Sequence, residues 1–141
     1  MSSLPSQLVV DAWPVMEWIQ GKEPAAAAFD SILAAAIRGE VKLLMCRINQ
    51  GEVVYLIRKN FHGDRASVAV DRVRKLPIEL LSVPDRLIDS AVDLKSTYPI
   101  SFADAFAVAQ AVELSCALIT GDRDLLRLQE DGVVGLYWLG A

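Results

Sequence analysis

Cys116-Ala117-Leu118-Ile119-Thr120-Gly121-Asp122 is the stretch on which the reading of this chain turns. Its apolar run, Cys116 to Ile119, is too short for a helix and closes through Thr120-Gly121 on an acid, the pattern of a buried strand entering a tight strand-to-helix turn. Just upstream, Ser101-Phe102-Ala103-Asp104 places a serine at a helix N-cap and an acid three residues later, ahead of Phe106-Ala107-Val108-Ala109. A helix therefore leads into a strand that ends on Asp122. The start of the chain matches it: Leu8-Val9-Val10 is a short apolar run that ends directly in Asp11.

Working outward, Val41 to Cys46, Ile78 to Val83 and Val133 to Leu139 are the other runs of strand length. Helical spacing fills the gaps. Pro24 opens an alanine-rich segment to Arg38, Ile48 to Phe61 carries Val53, Leu56, Ile57 and Phe61 on one side, and Ala66 to Leu76 and Leu87 to Tyr98 repeat the pattern. Strands that alternate with helices of ten or more residues need crossover connections, hence a parallel sheet covered on both faces. The strands are apolar throughout, as burial on both sides requires. The expected fold is α/β, a single three-layer α/β/α sandwich spanning residues 1–141 around a five-stranded, mostly parallel sheet.

The chain has 141 residues, 53% of them hydrophobic and 23% charged, which suits one globular domain. Met1-Ser2-Ser3-Leu4-Pro5 lacks the basic start and apolar stretch of a signal peptide, and no run reaches the roughly 18 apolar residues of a membrane span. Cys46 and Cys116 sit in apolar runs and form neither a disulfide framework nor a metal motif, so they are expected to be buried spectators in a reducing cytoplasm. A formal charge of −4 argues against a globally basic nucleic-acid binder.

In open parallel sheets, ligands bind beyond the carboxyl ends of the strands. Asp11 and Asp122 end strands and share that edge. Glu52 lies one turn into the helix after the second strand, and Asp104 begins the helix that returns toward the strand before Asp122. Asp11, Glu52, Asp104 and Asp122 can therefore converge on one rim. Each has a structural alternative: a turn aspartate for Asp11, a solvated glutamate for Glu52, a capping-box partner for Asp104, and an N-cap for Asp122. Several carboxylates in one cleft repel unless a cation joins them. An all-oxygen set suits Mg²⁺ or Mn²⁺, whereas His62, the lone histidine, stands in a helix-end loop and disfavours zinc.

These residues resemble those of the PIN-domain ribonucleases, and among them the VapC-type toxins of toxin–antitoxin pairs. The likeness runs from Val9-Val10-Asp11 through Ile48-Asn49-Gln50-Gly51-Glu52-Val53 and Ser101 to Ala111, to Leu118-Ile119-Thr120-Gly121-Asp122-Arg123-Asp124-Leu125. The resemblance implies strand order 3-2-1-4-5, a homodimer, a small VapB-like antitoxin partner, and Mg²⁺-dependent endonucleolytic cleavage of RNA. It makes Asp11 and Asp104 the principal metal ligands, with Glu52 and Asp122 as the third and fourth catalytic acids. Asp124 is an auxiliary acid or a helix-start residue. The family often has a Thr or Ser shortly after its first Asp, where this chain reads Asp11-Ala12-Trp13-Pro14.

Two other surfaces stand out. Arg58, Lys59, Arg65, Arg72, Arg74 and Lys75 face only Asp64 and Asp71 in the same stretch, which reads as a solvated helical face or as an RNA-backbone strip. Trp13, Met16, Trp18 and Ile19 share helical spacing with Phe29 and Leu33 beyond them, expected as core packing or, in part, as an exposed dimer or antitoxin groove. Trp138 is expected in the core. A receiver domain would need an acidic pair at the first strand and a lysine after the last, and a haloacid-dehalogenase phosphatase an acid where Trp13 stands. A housekeeping PIN nuclease or an inactive PIN binding module remain alternatives. With the four acids set aside, 14 basic and 14 acidic residues remain.

Overall fold

The computed structural model describes residues 4–141, so Met1 to Ser3 of the expected unexported start lie outside the described residues. The chain runs β1 (Gln7–Val10), α1 (Ala12–Ile19), α2 (Ala25–Ile37), β2 (Lys42–Cys46), α3 (Arg47–Asn60), α4 (Asp64–Arg74), β3 (Glu79–Leu81), α5 (Asp85–Thr97), α6 (Phe102–Glu113), β4 (Leu118–Thr120), a 3-10 turn (Arg123–Leu125), α7 (Leu126–Glu130) and β5 (Leu136–Trp138). The five strands form one sheet in the order β3-β2-β1-β4-β5. Every pairing is parallel.

Side chains alternate across a strand, so an apolar run in a central strand supplies two cores. Leu8, Val10, Leu43, Met45 and Ile119 point to the layer of α1 to α4, where they meet Val15, Phe29, Leu33, Val53 and Ile57. Val9, Leu44, Cys46 and Leu118 point to the other, where they meet Leu87 and Ala91 of α5 and Ala105 to Ala109 of α6. Burial on both faces holds for β1, β2 and β4. It fails at the edges: Glu79 and Leu80 of β3 are exposed, and β5 is only half-buried. The runs Ile78 to Val83 and Val133 to Leu139 are correspondingly trimmed to three residues each, because an edge strand is paired along one side only.

Trp138, expected in the core, is half-buried on this edge strand, so that expectation is corrected. Its ring lies where a Cβ at Gly140 would stand. Cys46 is fully buried and Cys116 half-buried, both as free thiols. Cys116 precedes β4 rather than lying within it, which leaves it partly open. Burial raises both thiols above the ordinary cysteine range, which keeps them in the unreactive form.

The aromatic stripe at the start divides. Met16, Ile19, Phe29 and Leu33 are core, whereas Trp13 and Trp18 are half-buried. The indole N–H of Trp18 donates to Asp30 Oδ1 (3.1 Å), and the guanidinium of Arg72 lies 4.8 Å from its ring centroid. Trp13 lies against Gly121, where any Cβ would overlap the indole. The glycine in the β4 turn is thus required for close approach, since it is not among the glycines with positive φ.

Candidate active site

Parallel pairing puts the ends of β1 and β4 side by side. The register aligns Val10 with Ile119, and the Asp11 N–H donates to the Ile119 carbonyl (3.1 Å), so Asp11 emerges beside Thr120. Asp11 is 1% exposed. It occupies the N-cap position of α1 without a side-chain capping bond, which removes the turn reading for this residue. Its Oδ2 accepts from the Thr120 hydroxyl (2.8 Å), while Oδ1 is buried with no partner among the described residues.

Asp104 lies in the first turn of α6. The serine half of the capping box is present: Ser101 Oγ accepts from the Asp104 N–H at 3.1 Å. The carboxyl nevertheless faces the acid edge, 7% exposed. Asp122 likewise does two things. Its Oδ1 accepts from the Asp124 N–H (2.9 Å) as an N-cap, and its own N–H donates to Thr120 Oγ1 (3.1 Å). Glu52 is half-buried one turn into α3, bordering Val53. Asp124 is exposed in the first turn of the 3-10 helix that follows Asp122.

The four acids feel one another. Burial first, and then the charges of Glu52 and Asp122, push the Asp11 carboxyl up to about 7, against the Thr120 and Ala12 hydrogen bonds that lower it. Asp104 is pushed to about 7, again first by burial, then by Asp11 and Asp122. Glu52 is raised by burial, Asp104 and Asp122. Among the described residues no three acid, histidine or cysteine side chains stand as a ready-made metal cage. What fits a cation is the chemistry of the donors: oxygen only, mutually repelling, with one buried Asp11 oxygen that lacks any donor. His62 is exposed in the loop after α3, away from these groups.

Two neighbours were not singled out from the sequence. Thr120 bridges Asp11 and the backbone of Asp122, so it supplies from β4 the hydroxyl that Asp11-Ala12-Trp13-Pro14 lacks. The sequence carries only part of the signal, a polar residue ending an apolar strand; its place beside Asp11 follows from the strand register. Asn49, one turn before Glu52, is fully buried, and its Nδ2 donates to the Ala103 carbonyl (2.9 Å), tying α3 to the residue before Asp104. Its Oδ1 is buried and unpartnered.

A parallel α/β sandwich in the order 3-2-1-4-5, with its acids gathered where β1 and β4 end, defines the class of fold and site. The chain belongs to the PIN-domain family, whose model matches residues 8–131. No curated protein matches its sequence. Among solved structures it is similar to VapBC2 of Rickettsia felis bound to a promoter DNA fragment (12% identity, TM-score 0.71, covering 92% of this chain and 96% of that one). It is also similar to VapC20 of Mycobacterium tuberculosis, described as a sarcin-ricin-loop-cleaving toxin (14%, TM-score 0.69, 85% and 93%). A toxin–antitoxin complex from Klebsiella pneumoniae matches at 17% identity with a TM-score of 0.65, over 94% and 97% of the two chains. At these identities the likeness is one of fold.

Proposed function

We propose that this single-domain protein is a Mg²⁺- or Mn²⁺-dependent endoribonuclease, the toxin of a VapBC-type pair, acting as a homodimer and held in check by a VapB-like antitoxin. The observation that carries this reading is the buried, partner-free Oδ1 of Asp11 at the centre of four mutually repelling acids in a PIN domain. A buried acid cluster costs stability, and a site that keeps one is a candidate for chemistry.

Asp11 and Asp104 would hold the ion. When bound, it supplies Lewis acidity toward the scissile phosphate and makes a water easier to deprotonate. Thr120 fixes Asp11 through Oδ2 and leaves Oδ1 free to coordinate. Glu52 and Asp122 are more open, and they orient the attacking water or a second ion; the raised Glu52 carboxyl is suited to take up the water's proton. Hydrolysis adds that water across a P–O bond of RNA.

No helix among the described residues is long and apolar enough to cross a membrane. A cytoplasmic location, where RNA and a VapB-like partner are available, completes the proposal. Brief induction in cells, with RNA ends mapped and Asp11→Asn as control, tests it: new ends should appear with the parental protein alone. Growth arrest relieved by a neighbouring gene would mark a toxin, and cleavage without arrest a housekeeping nuclease. The absence of both new ends and arrest would overturn the reading.

A further inference from the structure

We infer that helix α4, with the end of α3, forms a binding strip for the RNA backbone that leads to the acid edge; this rests on the nuclease reading above. Within residues 58–75 stand six basic residues and two acids, a local charge of +4, whereas the rest of the chain has eight basic residues and sixteen acids, or −8. The basic charge of an acidic protein is thus concentrated in one place.

The structure leaves that charge uncompensated. Arg58, Lys59, Arg65, Arg72, Arg74 and Lys75 are all exposed, because α4 turns Ala69, Val70 and Val73 inward. The described residues form four ion pairs, Arg38–Glu40, Lys42–Glu79, Arg86–Glu113 and Arg127–Asp131, and none involves these six. Asp71 stands three and four residues before Arg74 and Lys75 yet pairs with neither. An ordinary solvated face of mixed charge tends to pair at three- and four-residue spacing.

Position gives the strip a direction. Helices α1 and α3 begin at the strands' carboxyl ends and run back, so their last residues mark the amino edge of the sheet. Arg65 shares a hollow of about 260 Å³ with Ile19, Gln20, Asn60 and Phe61 at that edge. Arg74, at the other end of α4, lines a hollow with Val15, Met45 and Gln50 at the carboxyl edge. There Arg47 donates to Gln50, two residues before Glu52. From Arg65 to Lys75 the helix rises about 15 Å. Arg72, midway, is held by stacking on Trp18, which leaves its guanidinium edge free for phosphate.

The test uses full-length protein carrying Asp104→Asn in chelator, so that RNA is bound without being cleaved, and a labelled single-stranded RNA of mixed sequence. Anisotropy is read across a salt series. With Arg65→Gln, Arg72→Gln and Arg74→Gln together, the slope of log affinity against log salt should become shallower by about 2, since each phosphate contact to a single strand contributes about 0.7. The corresponding three Arg→Lys changes should keep the slope. With Asp104 restored, the three Gln changes should raise KM for RNA in metal-containing assays and leave kcat unchanged. If losing the Trp18 stack unfolds the triple variant, Arg58→Gln, Lys59→Gln and Lys75→Gln make the same test without touching it.

An unchanged slope in both sets would overturn the strip, and would be the outcome if this face binds a protein instead. Failure of the nuclease reading is distinct: RNA held through the strip with no cleavage by the parental protein would leave the strip standing. Cleavage with an unchanged slope would remove the strip alone.

Discussion

Replacing Asp11 by Asn should stabilise the metal-free protein, and the size of the effect should depend on pH. Asp11 is 1% exposed and titrates near 7 in the fold, against 3.8 for an ordinary carboxyl. Because its folded pKa is raised, the folded state holds this proton more tightly than the unfolded chain does. Stability is therefore fully retained below about pH 4, falls as pH rises toward 7, and levels off above it. The loss at pH 8 is roughly 4 kcal/mol, and at pH 5 less than half of that. Asparagine has the same shape, carries no charge, and its carbonyl can still accept from Thr120. Its amide leaves a new buried donor, so the net gain at pH 8 should be about 2 to 4 kcal/mol. Urea melts of both proteins in chelator, at pH 5 and pH 8, measure it. Saturating Mn²⁺ should reverse the order at pH 8 by stabilising only the parental protein. A gain equal at the two pH values, or a variant less stable than the parent in chelator at pH 8, would refute burial of charge as the cause.

The remaining expectations concern groups around that acid. Thr120→Val removes the hydroxyl that meets Asp11 and the Asp122 N–H; it should cost about 1 to 3 kcal/mol in thermal or urea melts and weaken Mn²⁺ binding by calorimetry. Asn49→Ala cuts the tie from α3 to Ala103; in RNA cleavage it should lower kcat and raise the metal concentration needed for half-maximal rate, with little change in KM. Gly121→Ala places a methyl in the Trp13 ring, and denaturation should show a loss of about 1 to 3 kcal/mol.

Much of the fold could be read from the sequence because its central strands are apolar on both faces. Leu8 to Val10 and Val41 to Cys46 have no other economical placement, and their alternation feeds the two cores observed. Edge strands were read too long, since Ile78 to Val83 and Val133 to Leu139 have the composition of strands without a partner on both sides. The four acids could be placed by topology alone, as residues that follow strands or open helices at one edge. Thr120 and Asn49 were not, because their roles depend on register between strands and on contact between helices 54 residues apart in sequence. Nor does an alternative reading always exclude the functional one. Asp104 and Asp122 take part in capping and belong to the acid cluster at once.

The most direct test of the central claim is cleavage of a purified RNA by the purified protein with Mg²⁺ or Mn²⁺, with excess chelator, and with Asp104→Asn in the presence of metal. Folding of the variant is verified by its melting transition. The account predicts internal cuts only for the parental protein with metal. Equal cleavage in chelator, or by folded Asp104→Asn at the parental rate, would contradict it.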